Sequence, residues 1–299
     1  MRMPREGVPV IDMKKLDTLS MEIVKASEEW GCFRIVNHGV SIDLMAEMKA
    51  VVASLFDQPE EIKMRTVHTE VGKGYVKRNL AGPCFEGFSI DDISLPGEFC
   101  DRINASVHQR KIINKYIKAI RDLARLLGLK LMEGCGLNGD LFDGWCCQLR
   151  MNKYHFCPKS IGSTGVPIHT DPTFLTILQD DENVNGLQLI DKNSGQFILV
   201  DPVPGTLAVN IGDIGKAWSN GRYWTAKHRV RCFEPKTRYS IALFVLGPND
   251  KMIEAPSQFV DSEHPRYYVP IDPKKYRDVR VTHRIRTGVA LELFRTSVT

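Results

Sequence analysis

The sequence lacks any long apolar run, and no stretch approaches the roughly 20 consecutive apolar residues that a membrane-spanning helix needs. Residues 1–5 are polar and contain a proline, so the start lacks the apolar segment of a secretory signal peptide. We therefore expect a cytoplasmic chain that neither crosses nor binds a membrane.

Paired cysteine motifs are also missing. The eight cysteines include no Cys-x-x-Cys pair, so we expect reduced thiols that lie mostly in the core. A zinc site built from Cys146, Cys147, His155 and Cys157 would match no recurrent zinc spacing.

The sequence has only a small excess of one sign of charge over the other. The 40 basic and 36 acidic residues leave a net charge of +4, which is too weak and too mixed for a dedicated nucleic-acid binder. We interpret the one basic cluster, residues 274–286, as a solvated helical face rather than a phosphate-binding tail. The expected partner is a small-molecule substrate, and the expected state is a monomer or weak homo-oligomer.

The pattern of apolar residues changes along the chain. Helical spacing predicts helices over about residues 16–30, 43–56 and 108–132. Residues 58–105 are rich in glycine and proline, which predicts a loop-rich covering segment. Residues 148–246 have the pattern of short strands separated by turns.

Helices followed by many short strands predict an α+β fold with a jelly-roll core, a distorted double-stranded β-helix of the cupin type, and N-terminal helices packed around it. We assign residues 1–105 to a helical and loop region and residues 106–299 to the long helix plus the jelly roll. No linker or repeat separates them, so we expect one compact unit.

His169 and Asp171 are two residues apart, and in a strand such residues share a face. His228 lies in the same strand-rich half of the chain. Two imidazoles and one carboxylate on one face of iron(II) leave positions for a bidentate co-substrate and O2. Each residue alone is more often structural, so the prediction depends on the combination.

Two further strands carry polar residues on one face. Arg238 and Ser240 would share a face, and a guanidinium beside a hydroxyl suits the distal carboxylate of a dicarboxylic acid. Arg150, Asn152 and Tyr154 would share another face. We expect the amide and the phenol to bind the co-substrate and Arg150 to bind an acidic substrate, unless this row faces solvent.

Aromatic side chains are candidates for excluding water from the substrate, although core packing is the usual role of any one aromatic residue. The predicted substrate-contact set, in addition to Arg150, is Tyr75, Phe85, Phe156, Pro172, Trp224 and Phe244.

The motifs His169-Thr170-Asp171, His228 and Arg238-Tyr239-Ser240 resemble the signature of the plant 2-oxoglutarate and iron(II)-dependent dioxygenases. Residues 30–33 and 37–40 resemble the N-terminal signature of that family. The resemblance implies iron(II) held by His169, Asp171 and His228, and 2-oxoglutarate held by Arg238 and Ser240 with help from Tyr154 and Asn152. It also implies O2 as co-substrate and ascorbate as reductant.

Within the family, the sequence resembles the dioxygenases for auxin oxidation, which implies indole-3-acetic acid or a related acid as substrate. The supporting segments are residues 44–49, 174–183, 218–222 and 259–266. Pro172-Thr173 and Tyr223-Trp224-Thr225 depart from that group near the metal ligands. The same chemistry on a plant specialised metabolite is therefore one alternative, an oxidase of this fold that does not use 2-oxoglutarate is a second, and a non-catalytic ligand-binding jelly roll is a third.

Overall fold

The computed structural model describes residues 7–70, 73–78 and 84–296. The polar start and parts of the segment 58–105 lie outside these ranges. The helices in the described ranges are α1 (Leu19–Glu29), α2 (Ile42–Phe56), α3 (Glu60–Met64), α4 (Pro96–Arg102), α5 (Val107–Gly134), α6 (Asp213–Trp218) and α7 (Pro273–Thr282).

The described strands form two sheets. They are β1 (Val10–Asp12), β2 (Cys32–Val36), β3 (Phe85–Ile90), β4 (Cys146–Tyr154), β5 (Thr164–His169), β6 (Leu175–Gln179), β7 (Leu187–Ile190), β8 (Phe197–Leu199), β9 (Leu207–Ile211), β10 (His228–Arg231) and β11 (Arg238–Gly247).

The major sheet has the strand order β1-β2-β9-β6-β11-β4-β3, and the minor sheet has the order β5-β10-β7-β8. Neighbouring strands are antiparallel except for β1 and β2. A cavity lined by strands of both sheets lies between them. This architecture confirms the predicted α+β jelly roll with N-terminal helices.

The three predicted helices are confirmed as α1, α2 and α5. Ser41 caps α2 by accepting a hydrogen bond from Leu44 N, and Ser106 and Gln109 form a capping box at the start of α5. The apolar face of α5 packs against α1 and α2. These helices cover the side of the major sheet that faces away from the cavity.

The segment 58–105 contains more regular structure than its composition predicts. It includes α3, α4 and β3, and β3 pairs with β4 at the edge of the major sheet. Every residue of β3 is buried, so the strand shows no alternation of apolar and polar residues, and the prediction of a loop-rich cover is wrong there. Residues 1–105 thus supply strands at both ends of the sheet.

The basic cluster at residues 274–286 is only partly a solvated face. Lys275 is exposed as predicted, but Arg280 is buried against Asp213, and Arg277 lines the cavity. Charge density alone does not reveal which face of a helix lies against the protein.

No helix within the described ranges has both the length and the apolar character that a membrane crossing needs. All eight cysteines are free, and five of them are buried.

Candidate active site

Three side chains that line the cavity converge on one point. The Nε2 atom of His169 lies 3.5 Å from Oδ1 of Asp171, and Nε2 of His228 lies 3.8 Å from the same oxygen. The potential ligand atoms of all three residues lie within 4.8 Å of one another. This spacing suits three ligands on one face of a single metal ion.

Backbone carbonyl groups orient both imidazoles. Nδ1 of His169 lies 2.9 Å from the carbonyl oxygen of Pro167, and Nδ1 of His228 lies 3.0 Å from that of Ala226. A carbonyl oxygen only accepts, so each Nδ1 carries the proton and donates. Each Nε2 is left with a lone pair directed at the other two groups, as a metal ligand requires.

Asp171 is positioned by side chains rather than by strand pairing. Strand β5 ends at His169, so the expectation that His169 and Asp171 share a face of one strand is wrong. Oδ2 of Asp171 accepts hydrogen bonds from Thr176 Oγ1 at 2.7 Å and from Asn210 Nδ2 at 2.8 Å. These bonds leave Oδ1 facing the two imidazoles. No sequence pattern predicted that Thr176 and Asn210 would bind Asp171, because both lie outside the motif that contains it.

Burial and neighbouring charge set the protonation of these groups. Burial lowers the pKa of His228 to about 4, so its imidazole is neutral at physiological pH. Burial opposes the charge of Asp171, but the neighbouring imidazoles and the Asn210 amide outweigh it and hold the pKa of Asp171 well below its usual range. A neutral imidazole and an ionised carboxylate are the forms that bind a divalent metal.

Arg238 also lines the cavity, and part of its guanidinium forms no hydrogen bond to the residues that the structure describes. Its side chain is 2% exposed, and its Nε and Nη1 atoms have no hydrogen-bond partner among the described residues. Strand β11 pairs Arg238 with Tyr154 and Ser240 with Asn152, and Asn152 Nδ2 donates to Ser240 Oγ at 3.1 Å. A buried guanidinium with free donors needs an anion, and a carboxylate fits its two parallel N–H groups.

The cavity has a volume of about 1030 Å³. Arg150 lines it and forms no ion pair in the part of the chain that the structure describes. The guanidinium carbon of Arg150 lies 6.0 Å from the centroid of the Phe244 ring, and burial lowers the pKa of Arg150. Phe85, Pro172 and Phe244, also predicted from the sequence, line the cavity as well.

Three predicted substrate contacts do not line the cavity. Tyr75 packs against Phe88 on the other side of the major sheet, Phe156 packs behind Tyr154, and Trp224 lies beside Lys192 and Lys216. All three lie outside regular strands, where no alternation fixes the direction of a side chain. Their prediction as substrate contacts is wrong.

Cys146, Cys147, His155 and Cys157 do not form a zinc site. Within the described ranges, the only group of three or more His, Cys, Asp or Glu side chains spaced to hold a metal is His169, Asp171 and His228. The ligand set that this cavity offers is therefore two imidazoles and one carboxylate, which suits iron(II) and leaves coordination positions for other ligands.

Comparison with known families and proteins supports this assignment. Residues 145–247 match the profile of the 2OG-Fe(II) oxygenase superfamily, and residues 8–82 match the N-terminal profile of a non-haem dioxygenase in morphine synthesis. A 2-oxoglutarate-dependent dioxygenase DAO of rice, Oryza sativa, is 44% identical over 264 residues, covering 87% of this chain and 88% of the relative.

Two solved structures are similar to the chain in both fold and sequence. Dioxygenase for auxin oxidation 1 from Arabidopsis thaliana, in a binary complex with 2-oxoglutarate, is 50% identical with a TM-score of 0.84, covering 87% of this chain and 100% of that one. The dioxygenase for auxin oxidation in rice is 40% identical with a TM-score of 0.89, covering 97% and 100%.

The jelly roll holds an iron-type ligand triad and an arginine with two donors that are unpaired within the described ranges. The molecule therefore has the architecture of a metal-dependent oxygenase. The chain belongs to the 2-oxoglutarate and iron(II)-dependent oxygenase family, and it is a dioxygenase that uses iron(II) and 2-oxoglutarate.

Proposed function

We propose that this dioxygenase oxidises a small organic acid, with the auxin indole-3-acetic acid as the first candidate substrate. The observation that carries the acidic substrate is Arg150, a cation without an ion-pair partner among the described residues, in the same cavity as the metal triad. A carboxylate would stabilise this partly buried charge. The similarity to auxin-oxidising dioxygenases supports the choice of auxin.

His169, Asp171 and His228 are the proposed ligands of iron(II). When bound, iron(II) supplies activation of O2 coupled to oxidative decarboxylation of 2-oxoglutarate to succinate and CO2. The role of the protein is to keep both Nε2 atoms deprotonated and Asp171 ionised, as the hydrogen bonds of Pro167 and Ala226 and of Asn210 favour.

Arg238 and Ser240 are the proposed site for the distal carboxylate of 2-oxoglutarate, with Tyr154 and Asn152 supporting them. Arg238 would donate two N–H bonds, and the Ser240 hydroxyl would donate a third while it accepts from Asn152. Arg238, Ser240 and the proposed metal ligands line the same cavity, so both groups would hold one co-substrate molecule.

Phe85, Pro172 and Phe244 are the proposed substrate contacts besides Arg150, and their apolar surfaces would exclude water from the reacting carbon. Ascorbate is proposed as the reductant that keeps iron in its divalent state. Cytoplasmic location and a monomeric or weakly associated state remain predictions from the sequence.

A turnover assay with a panel of acids tests the proposal. Purified protein, iron(II), ascorbate and 2-oxoglutarate are incubated with indole-3-acetic acid, with other plant acids and with the methyl ester of each acid, and products are identified by mass. We expect oxidised indole-3-acetic acid and little product from esters, because an ester cannot pair with Arg150. Oxidation of a different acid alone would contradict the assignment of auxin as substrate, but it would still support an acidic substrate.

Variants of strand β4 test the role of Arg150 separately. Arg150→Met should raise the KM for the acid by about tenfold or more, because a charge-assisted hydrogen bond is lost. The KM for 2-oxoglutarate should stay unchanged. Lys153→Met is the matched control, since Lys153 lies on the same strand but pairs with Asp57 at the surface. An unchanged KM for the acid in Arg150→Met would remove Arg150 from the substrate site.

A further inference from the structure

The peptide that links the first two metal-site residues lies outside the sheets. Strand β5 pairs with β10 up to His169, and neither Thr170 nor Asp171 belongs to a strand. The hydrogen bonds of a strand therefore do not fix the direction in which Asp171 leaves the backbone. Other contacts must hold this peptide.

Arg280, on helix α7, makes those contacts. Its Nη2 donates to the carbonyl oxygen of Thr170 at 2.6 Å and to that of Arg286 at 2.9 Å. Its Nη1 donates to the hydroxyl of Thr170 at 3.1 Å and to the carboxylate of Asp213. The backbone N–H of Thr170 in turn donates to the carbonyl oxygen of Arg286 at 2.9 Å. One guanidinium thus holds the residue between His169 and Asp171.

Asp213 also holds the segment Thr170–Asp171 through its backbone and its side chain. Its backbone N–H donates to the carbonyl oxygen of Asp171 at 2.9 Å. Its carboxylate accepts from Thr170 Oγ1 at 3.0 Å and from the Tyr276 hydroxyl at 2.7 Å. Asp213 is fully buried and Arg280 is 9% exposed, so water competes little for these bonds.

A purely structural ion pair would look different. Arg34 and Asp180 form a pair of similar burial, but it is supported by Thr206 and contacts neither the metal-site peptide nor the cavity. A buried ion pair is by itself weak evidence of stabilisation. The direction of the Arg280 bonds, towards both the carbonyl and the hydroxyl of Thr170, indicates a more specific role.

We propose that Arg280 is a positioning residue of the metal centre, which holds the Thr170 peptide so that His169 and Asp171 present their ligand atoms to the same ion. This inference rests on the proposed role of those two residues and His228 as metal ligands. It also assigns helix α7, which walls the cavity through Arg277 and Val281, a second task at the metal site.

Metal affinity, measured without turnover, tests the inference. Apoprotein is titrated with Co(II) by calorimetry for the wild type, Arg280→Met, Arg280→Lys and Arg34→Met. We expect Co(II) to bind Arg280→Met about tenfold more weakly, the low end of the effect of losing a bond that orients metal ligands. Arg280→Lys should lose less, because an ammonium still donates to the Thr170 carbonyl. Arg34→Met should lower the thermal midpoint yet bind Co(II) like the wild type.

Each other result contradicts a specific claim. Wild-type affinity in Arg280→Met overturns the inference, and so does an equal loss in Arg34→Met, because the effect would then come from general stability. Where Arg280→Met does not fold, Asp213→Asn and Arg280→Lys replace it, and wild-type Co(II) affinity in both variants overturns the inference. A His228→Ala variant that binds Co(II) as tightly as the wild type would instead refute the proposed metal ligands, a failure distinct from that of Arg280.

Discussion

Arg238 and Tyr154 lie directly opposite each other on strands β11 and β4, and the guanidinium carbon of Arg238 lies 5.1 Å from the centroid of the Tyr154 ring. Phe85 and Phe156 pack against the same ring, each with its centroid 5.6 Å away. The ring therefore has little freedom to move, and it holds the guanidinium in place while two of its nitrogens remain unpaired among the described residues.

Replacement of Arg238 should mainly weaken the binding of 2-oxoglutarate. Arg238→Met should raise the KM for 2-oxoglutarate by about 10- to 100-fold, because a hydrogen bond to a charged group contributes about 1.5–3 kcal/mol. Arg238→Lys should fall between Met and the wild type, since an ammonium lacks the planar pair of donors. Initial rates at varied 2-oxoglutarate give the KM values.

Two comparisons make the Arg238 result specific. Co(II) affinity without 2-oxoglutarate should be unchanged in Arg238→Met. Arg231→Met is the matched control, because Arg231 lies on β10, bonds to the Gly162 carbonyl and does not line the cavity. A 2-oxoglutarate KM that does not respond to Arg238→Met would assign the diacid to another part of the cavity.

A buried carboxylate outside the active site should make the stability of the apoprotein depend on pH. Burial would raise the pKa of Glu86, but hydrogen bonds from His155, Lys63 and Tyr75 outweigh it and lower the pKa to about 2. The stabilisation is complete above the ordinary pKa of 4.5. It is lost as the pH falls towards 2, because the unfolded chain takes up a proton that the folded chain does not.

Glu86→Gln should therefore lower the free energy of unfolding by about 2 kcal/mol near pH ~7 and by less near pH ~3. Urea unfolding at several pH values measures both. Glu60→Gln is the control, because Glu60 pairs with Lys77 at the exposed surface and should change stability by less than about 0.5 kcal/mol. Equal losses at both pH values in Glu86→Gln would show that this carboxylate does not control the acid response.

Gly212 should tolerate no side chain. A Cβ atom there would lie 2.2 Å from the carbonyl oxygen of Thr173 and 2.8 Å from that of Asp171. Gly212→Ala should displace this backbone, at a cost of about 1–3 kcal/mol in stability, and should weaken Co(II) binding. Urea unfolding and calorimetric titration measure the two effects. Gly97→Ala is the control, because nothing lies within 4 Å of its Cβ position; wild-type values in Gly212→Ala would contradict this prediction.

Much of the cavity wall could be predicted from alternation along single strands. The faces that carry Arg238 and Ser240 on β11, and Asn152 and Tyr154 on β4, lie towards the cavity as the period of two requires. The long helix α5 was equally predictable, because its apolar residues recur at helical spacing. Such features depend on local geometry, which a sequence displays directly.

The remaining features depend on contacts between distant parts of the chain. Asp171 owes its direction to Asn210 and Thr176 rather than to strand alternation, and Arg280 in a basic cluster is buried by Asp213. A fully buried strand such as β3 has no pattern to detect. The sequence identified the three candidate metal ligands and Arg238, whereas the residues that support them became visible only in three dimensions.

The most direct test of the account is a crystal structure with Co(II) and 2-oxoglutarate, in which anomalous scattering locates the ion. We expect a single strong peak bonded to Nε2 of His169, Nε2 of His228 and Oδ1 of Asp171. The distal carboxylate of 2-oxoglutarate should lie on Arg238 and Ser240. An ion bound away from these three atoms, or a diacid bound away from Arg238, would contradict the account.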